Sequence, residues 1–176
     1  MKYEVIDNFL DKEYFDELVA LLVGKEIGHG TSIMPWYFRS SITYPKGHVK
    51  RASSGNSNLF YMTHTFYEYF TPTSNFYENI IPILAKLKVN GLIRVKGNFY
   101  PNTETLHEHQ MHADYDYSQS SAILSLNTCD GYTKLKDGTK IDSVANRILL
   151  FDSSEEHCST TTTNVPARIN LNINYM

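Results

Sequence analysis

Residues 167 to 175, ARINLNINY, alternate without a break. In an extended chain Ile169, Leu171 and Ile173 fall on one side, and Arg168, Asn170, Asn172 and Asn174 on the other. A helix would scatter both sets around its axis, so this segment reads as a strand with one buried face. LIRVKGNFY, residues 92 to 100, repeats the pattern. Ile93, Val95 and Phe99 point one way; Arg94, Lys96, Asn98 and Tyr100 point the other. Each strand has an unusually polar second face. That face either looks at water or lines a wet cavity, and the alternation alone leaves both readings open.

Shorter strand-like runs lie between these two. They are SAILSLN (121–127), RILLFD (147–152) and HCSTTTT (157–163). Asp130-Gly131 and Asp137-Gly138 have the composition of hairpin turns. Short strands at this spacing suggest a sandwich or barrel. The first half reads as more helical. Phe15, Leu18, Val19 and Leu22 form one apolar helix stripe, with Asp11 as its N-cap and Gly24 as its stop. A second helix is predicted from about Phe76 to Lys88, carrying Ile80, Ile83, Leu84 and Leu87. Pro82 must fall near its first turn or kink it. Trp36 to Thr43 is strand-like. Pro45 to Asn58 reads as a polar loop whose Lys46, His48, Lys50 and Arg51 form either a lid or a solvated hairpin.

The expected organisation is one domain over residues 1–176, with a helical part to about residue 90 and a β core from about residue 91. A chain of this length buries about 70% of its surface on folding, enough for one core. Hydrophobic residues at 41% and charged residues at 20% exclude disorder and coiled coil. No apolar run approaches the ~18 residues of a membrane span, and the N-terminal residues meet acids at once, without a secretory apolar region. The net charge of −3 gives no pull toward nucleic acid or anionic membrane. Only two cysteines, Cys129 and Cys158, occur, so the expected home is a reducing, cytoplasmic one.

The chemistry-bearing segment is HEHQMHADYDY, residues 107 to 117. It is not a zinc-protease motif, because Met111 stands where His-Glu-x-x-His needs its second histidine. It is not an EF-hand loop, which needs a glycine at its sixth position and a glutamate at its twelfth. A nucleophile built on Cys158 and a nearby histidine has no further signature behind it. What remains is His112-Ala113-Asp114, whose outer residues share one side of an extended chain. His157 follows after a strand run that can return the chain beside this motif, and Arg168 lies eleven residues later. Two imidazoles and one carboxylate form the facial set that holds non-haem Fe(II) with open positions. A guanidinium one strand away can clamp a carboxylate.

His112-x-Asp114, His157 and Arg168 together resemble the Fe(II)/2-oxoglutarate-dependent oxygenases, most like the prolyl-4-hydroxylase-type branch. The resemblance covers residues 92 to 175, with a weaker match at the IDNFL start and the helix after it. It implies a mainly β (α+β) fold, a double-stranded β-helix or jelly roll with N-terminal helices packed on the outer face of the major sheet. It implies Fe(II) on His112, Asp114 and His157, with 2-oxoglutarate and O2 as co-substrates. Arg168 would hold the distal carboxylate of 2-oxoglutarate, in a position where this branch commonly has lysine; Tyr100 and Asn98 would assist. His107 and His109 are not expected to be ligands, and Tyr115, Asp116 and Tyr117 would rim the entrance or lie in solvent. The implied reaction hydroxylates a C–H bond of a small-molecule, amino-acid or peptidyl substrate and releases succinate and CO2. Two alternatives stand beside it: an oxidative demethylase of nucleic-acid bases, and a non-catalytic metal-binding jelly-roll module.

Overall fold

A computed structural model describes residues 2–24, 34–40 and 59–176. Its elements in chain order are β1 (Tyr3–Ile6), α1 (Lys12–Leu22), β2 (Tyr37–Arg39), β3 (Tyr61–Glu68), β4 (Thr71–Pro72), α2 (Ile81–Lys86), β5 (Leu92–Pro101), β6 (Ser120–Ser125), β7 (Tyr132–Leu135), β8 (Lys140–Asp142), β9 (Ile148–Asp152), β10 (His157–Ser159) and β11 (Ala167–Tyr175). The major sheet runs β1-β9-β6-β11-β5-β3-β2, with β4 on β3. All its pairings are antiparallel. The minor sheet is β10-β7-β8. Isolated bridges from Glu108 to Thr160 and from His112 to His157 add the segment before β6 to its edge. This is the jelly-roll architecture.

The alternation of β11 explains its central place. Ile169, Leu171 and Ile173 are fully buried in a core shared with Leu18 and Leu22 of α1, Ile83 and Leu84 of α2, and Val95 of β5. Each such side chain contributes roughly 1.5–3 kcal/mol on burial. The helices therefore cover the outer face of the major sheet. Asn170, Asn172 and Asn174 are buried too, on the opposite face, because the minor sheet closes over them. The polar row thus lines a cavity between the sheets and does not face open water. A small apolar cluster of Ile123, Leu135, Leu149 and Phe151 seals the sheets together beside it.

Asp11 caps α1, its carboxylate accepting from Glu13 N at 3.0 Å. The second helix is shorter than its apolar spacing predicts. Tyr77–Ile80 is a 3-10 turn and only Ile81–Lys86 is α-helical. Pro82 has no N–H to close the preceding α-turn, so the tighter turn precedes it. Asp137-Gly138 does turn the β7–β8 hairpin, with Gly138 at φ 90°. Asp130-Gly131 does not turn a hairpin: β6 lies in the major sheet and β7 in the minor one, so the chain crosses between layers there. The Asp130 carboxylate instead accepts from Thr162 Oγ1 at 2.6 Å and Thr163 N at 2.9 Å.

The described part of the first ninety residues is also less helical than expected, since β1 to β4 all join the major sheet. The strand-like stretch predicted at 36–43 is realised as β2 over Tyr37–Arg39; its residues 41–43, with the loop at 45–58, lie outside the described residues. Among the described residues no helix is long and apolar enough to cross a membrane.

Candidate metal centre and anion pocket

His112 and His157 face each other across two backbone strands. His112 N donates to His157 O at 3.0 Å, and His157 N donates to His112 O at 2.9 Å. This reciprocal pair puts both side chains on the same face, and the rings stand 4.7 Å apart. Asp114 follows in a bend, tied by its N–H to Ser153 O at 3.0 Å. The potential ligand atoms of His112, Asp114 and His157 all lie within 4.8 Å of one another.

Each imidazole is oriented by its own chain. Nδ1 of His112 reaches Gln110 O at 3.2 Å, and Nδ1 of His157 reaches Glu155 O at 3.2 Å. A carbonyl only accepts, so Nδ1 carries the hydrogen and the lone pair is left on Nε2. Burial, then the neighbouring His157, pushes the His112 pKa down and favours the neutral, ligating form. The Asp114 carboxylate accepts from Arg94 Nη2 at 3.3 Å on Oδ1, and from Asn172 Nδ2 at 3.1 Å and Asn174 Nδ2 at 3.0 Å on Oδ2. Burial alone would raise its pKa. The His157 imidazole and Arg94 guanidinium, with the two amide donors, outweigh that and hold it well below the usual carboxylate range. Two imidazoles with their Nε2 lone pairs free and an ionised carboxylate are the donor set a divalent first-row metal ion needs.

These three residues line a cavity whose wall continues through Asn98, Tyr100, Thr133 and Asn170. Arg168 stands behind that wall, only 1% exposed. Its Nη2 donates to Thr133 Oγ1 at 2.9 Å and its Nη1 to Thr160 O at 3.4 Å, while Nε has no partner. Among the described residues no carboxylate pairs with it. The guanidinium instead lies over the Tyr100 ring, 5.7 Å from its centroid. An uncompensated buried cation costs several kcal/mol, and it is the arrangement a bound anion would relieve.

Tyr100 stacks on Tyr61 at 5.7 Å and has the His109 ring tilted against it at 5.3 Å, and its pKa is raised by burial. Asn98 donates to Asn170 Oδ1 at 3.0 Å and keeps its own Oδ1 unpaired.

The other segment residues have separate duties. His107 and His109 lie outside the cluster of possible ligands. Glu108 accepts from Tyr132 Oη at 2.6 Å and Lys134 Nζ at 2.8 Å, pinning the minor-sheet edge. Cys158 alternates away from His157 on β10, and burial pushes its thiol pKa up, which suits packing and not nucleophilic attack. Sequence reading placed Arg94, Asn172 and Asn174 on the polar faces but gave them no partner. It had no signal for Thr133, which sits 35 residues from Arg168 and meets it only through the sheet closure.

No family model and no curated protein matches the chain. Solved structures do. A prolyl hydroxylase from Trichoplax adhaerens, in complex with a hypoxia inducible factor peptide fragment, superposes with TM-score 0.66 at 15% identity, over 99% of this chain and 83% of that one. A prolyl-4-hydroxylase from Pseudomonas putida gives TM-score 0.57 at 15% identity, over 98% and 91%. The non-haem α-ketoglutarate-dependent epimerase SnoN from nogalamycin biosynthesis gives 0.62 at 13%, over 99% and 77%. At such identities it is the fold that is shared: this chain has the jelly-roll fold of the Fe(II)/2-oxoglutarate oxygenases, with neighbours in the prolyl-hydroxylase-like branch.

Proposed function

We propose that the protein is an Fe(II)- and 2-oxoglutarate-dependent oxygenase that hydroxylates a C–H bond of its substrate. The observation that carries this reading is the pairing of two features at one cavity, one lining it and one behind its wall. Two imidazoles and a carboxylate converge at one point, and a buried guanidinium without a carboxylate partner stands behind the same cavity's wall. His112, Asp114 and His157 would hold the ion. Arg168 would take the distal carboxylate of 2-oxoglutarate, with Thr133 fixing the guanidinium and Tyr100 covering its face. Asn98, with its unpaired Oδ1, would help line the co-substrate site.

Bound iron with 2-oxoglutarate and O2 supplies the oxidising power, with succinate and CO2 as co-products. The chain's own part is geometric and electrostatic. The Gln110 and Glu155 carbonyls fix both imidazole tautomers. Asn172, Asn174 and Arg94 hold the carboxylate ionised and oriented. The minor sheet closes over the polar row of β11 and recesses the site between the two sheets.

The test is anaerobic addition of Fe(II) and 2-oxoglutarate to the full chain. A visible charge-transfer band is expected, followed by O2-dependent succinate release. Both are lost in His112→Ala and Asp114→Ala, and Arg168→Met raises the 2-oxoglutarate requirement without removing metal binding. A folded wild-type protein that binds iron but gives neither band nor succinate overturns the reading.

A further inference from the structure

The cavity wall holds a second cation that this reaction does not use. Lys96 lies on the inner face of β5 and lines the same cavity as His112, Asp114 and His157. Its register partner is Asn172, and Tyr100 on the same strand is paired with Arg168. The two cations therefore stand four strand positions apart, about 13 Å along the sheet. One small dianion chelated at the metal cannot serve both ends and still leave Arg168 its carboxylate. Among the described residues Lys96 Nζ makes no hydrogen bond and no ion pair, and it lies over the Tyr61 ring, 5.9 Å from its centroid.

The surrounding charges leave Lys96 in surplus. Asp114 is already engaged by Arg94, Asn172 and Asn174. Glu68 and Arg39 act on Lys96 from farther out and oppose each other. Burial, then the Arg94 guanidinium, pushes the Lys96 pKa down to about 8, and an anion beside it would raise it again. With the oxygenase site filled, a divalent ion and a doubly charged co-substrate offset each other, and Arg94 offsets Asp114. Two positive charges then remain around a recessed cavity, which favours entry of one more anion. An internal residue of a peptide chain would bring two neutral amides to this place. A small acid would bring the missing charge.

We propose, resting on the oxygenase reading, that Lys96 is the subsite for a carboxylate of the primary substrate, so that the substrate is an amino acid or related small carboxylic acid. Lys96 then sets which molecule is oxidised, and Arg168 which co-substrate is consumed.

The test uses the full chain loaded anaerobically with Fe(II) and 2-oxoglutarate, the charge-transfer band first reporting that both are bound. L-Amino acids and aliphatic monocarboxylic acids are then titrated, each beside its carboxamide, and the shift of the band gives the affinity. At least one free acid is expected to bind about tenfold or more tightly than its amide, the scale of one charge-assisted hydrogen bond. Lys96→Met and Lys96→Gln remove that preference, Lys96→Arg keeps it, and all three bind 2-oxoglutarate as the wild type does. Circular dichroism checks that each variant is folded. The inference is overturned if no acid binds more tightly than its amide. It is equally overturned if both neutral variants keep the preference, or if they lose 2-oxoglutarate affinity, which would assign Lys96 to the co-substrate. A wild type with no band at all rejects the oxygenase reading, and this inference with it.

Discussion

Gly131 lies against Arg168 so closely that a Cβ on it would stand 2.6 Å from Arg168 Cδ, and equally 2.6 Å from Thr161 O. The chain crosses here from the major to the minor sheet, and only a residue without a side chain lets the guanidinium reach Thr133. Backbone on one side and a buried cation on the other leave nothing cheap to move. Gly131→Ala is expected to destabilise the fold by about 1–3 kcal/mol, a fall in Tm of roughly 2–10 °C. If the proposed function holds, it should also weaken 2-oxoglutarate binding, because Arg168 is pushed off its position. Thermal unfolding and a co-substrate titration check both; an unchanged Tm contradicts the packing argument.

Asn172 and Asn174 donate to the same oxygen of Asp114 from neighbouring positions on the inner face of β11. Outer partners of this kind are typically worth about 10- to 100-fold in metal affinity. Asn172→Ala and Asn174→Ala are each expected to weaken binding of Fe(II), or of Zn(II) as a redox-inert probe, within that range. Because they share one acceptor, the double variant should cost less than the product of the singles. Competition with a chelator of known affinity measures all three. Full additivity would mean that the two amides act independently.

His109 gives the metal-free fold an acid-sensitive stability. Burial, then the nearby Arg168 charge, lowers its pKa from 6.5 to about 3. The unfolded chain therefore takes up a proton that the folded one refuses. The neutral ring's contribution is complete above pH 6.5 and is lost as pH falls from there toward 3. Within that interval the unfolding free energy should fall by about 1.4 kcal/mol per pH unit from this group alone. Urea unfolding of the metal-free protein between about pH 7 and 5, compared with His109→Gln, isolates the effect. Identical pH dependence in both proteins would remove it.

The β3–β4 turn carries a strain that exposed residues do not need. Tyr69 and Phe70 form its two-residue loop with φ 53° and 62°, and they are 82% and 89% exposed. Left-handed backbone costs roughly 1–2 kcal/mol at a residue with a bulky side chain, and Asn-Gly is the sequence such a turn prefers. Replacing the pair by Asn-Gly should raise Tm by roughly 2–8 °C. Differential scanning calorimetry decides it, a lower Tm meaning that the aromatic rings contribute more than the strain they impose.

Local features were legible directly. Asp11 caps α1 because its carboxylate meets an N–H two residues on. The faces of β5 and β11 follow from the period of two alone, since successive side chains must point apart. The order His112, Asp114, His157, Arg168 pointed to the cluster, although proximity in space could only be an expectation. β3 was not legible: Tyr61, Thr63 and Thr65 on one side and Met62, His64 and Phe66 on the other give weak contrast. Its extended state is set by pairing with β5 on one edge and β2 on the other.

The sequence by itself determined which residues share a face, because that depends only on backbone geometry within one segment. Tertiary structure alone decided that the polar faces close over a cavity. It decided that Asp114 meets Asn172 and Asn174, 58 and 60 residues away. It also left Arg168 and Lys96 without acidic partners among the described residues. Those facts depend on strand order and on the two sheets facing each other, and both come from burying the apolar faces of many separate segments at once.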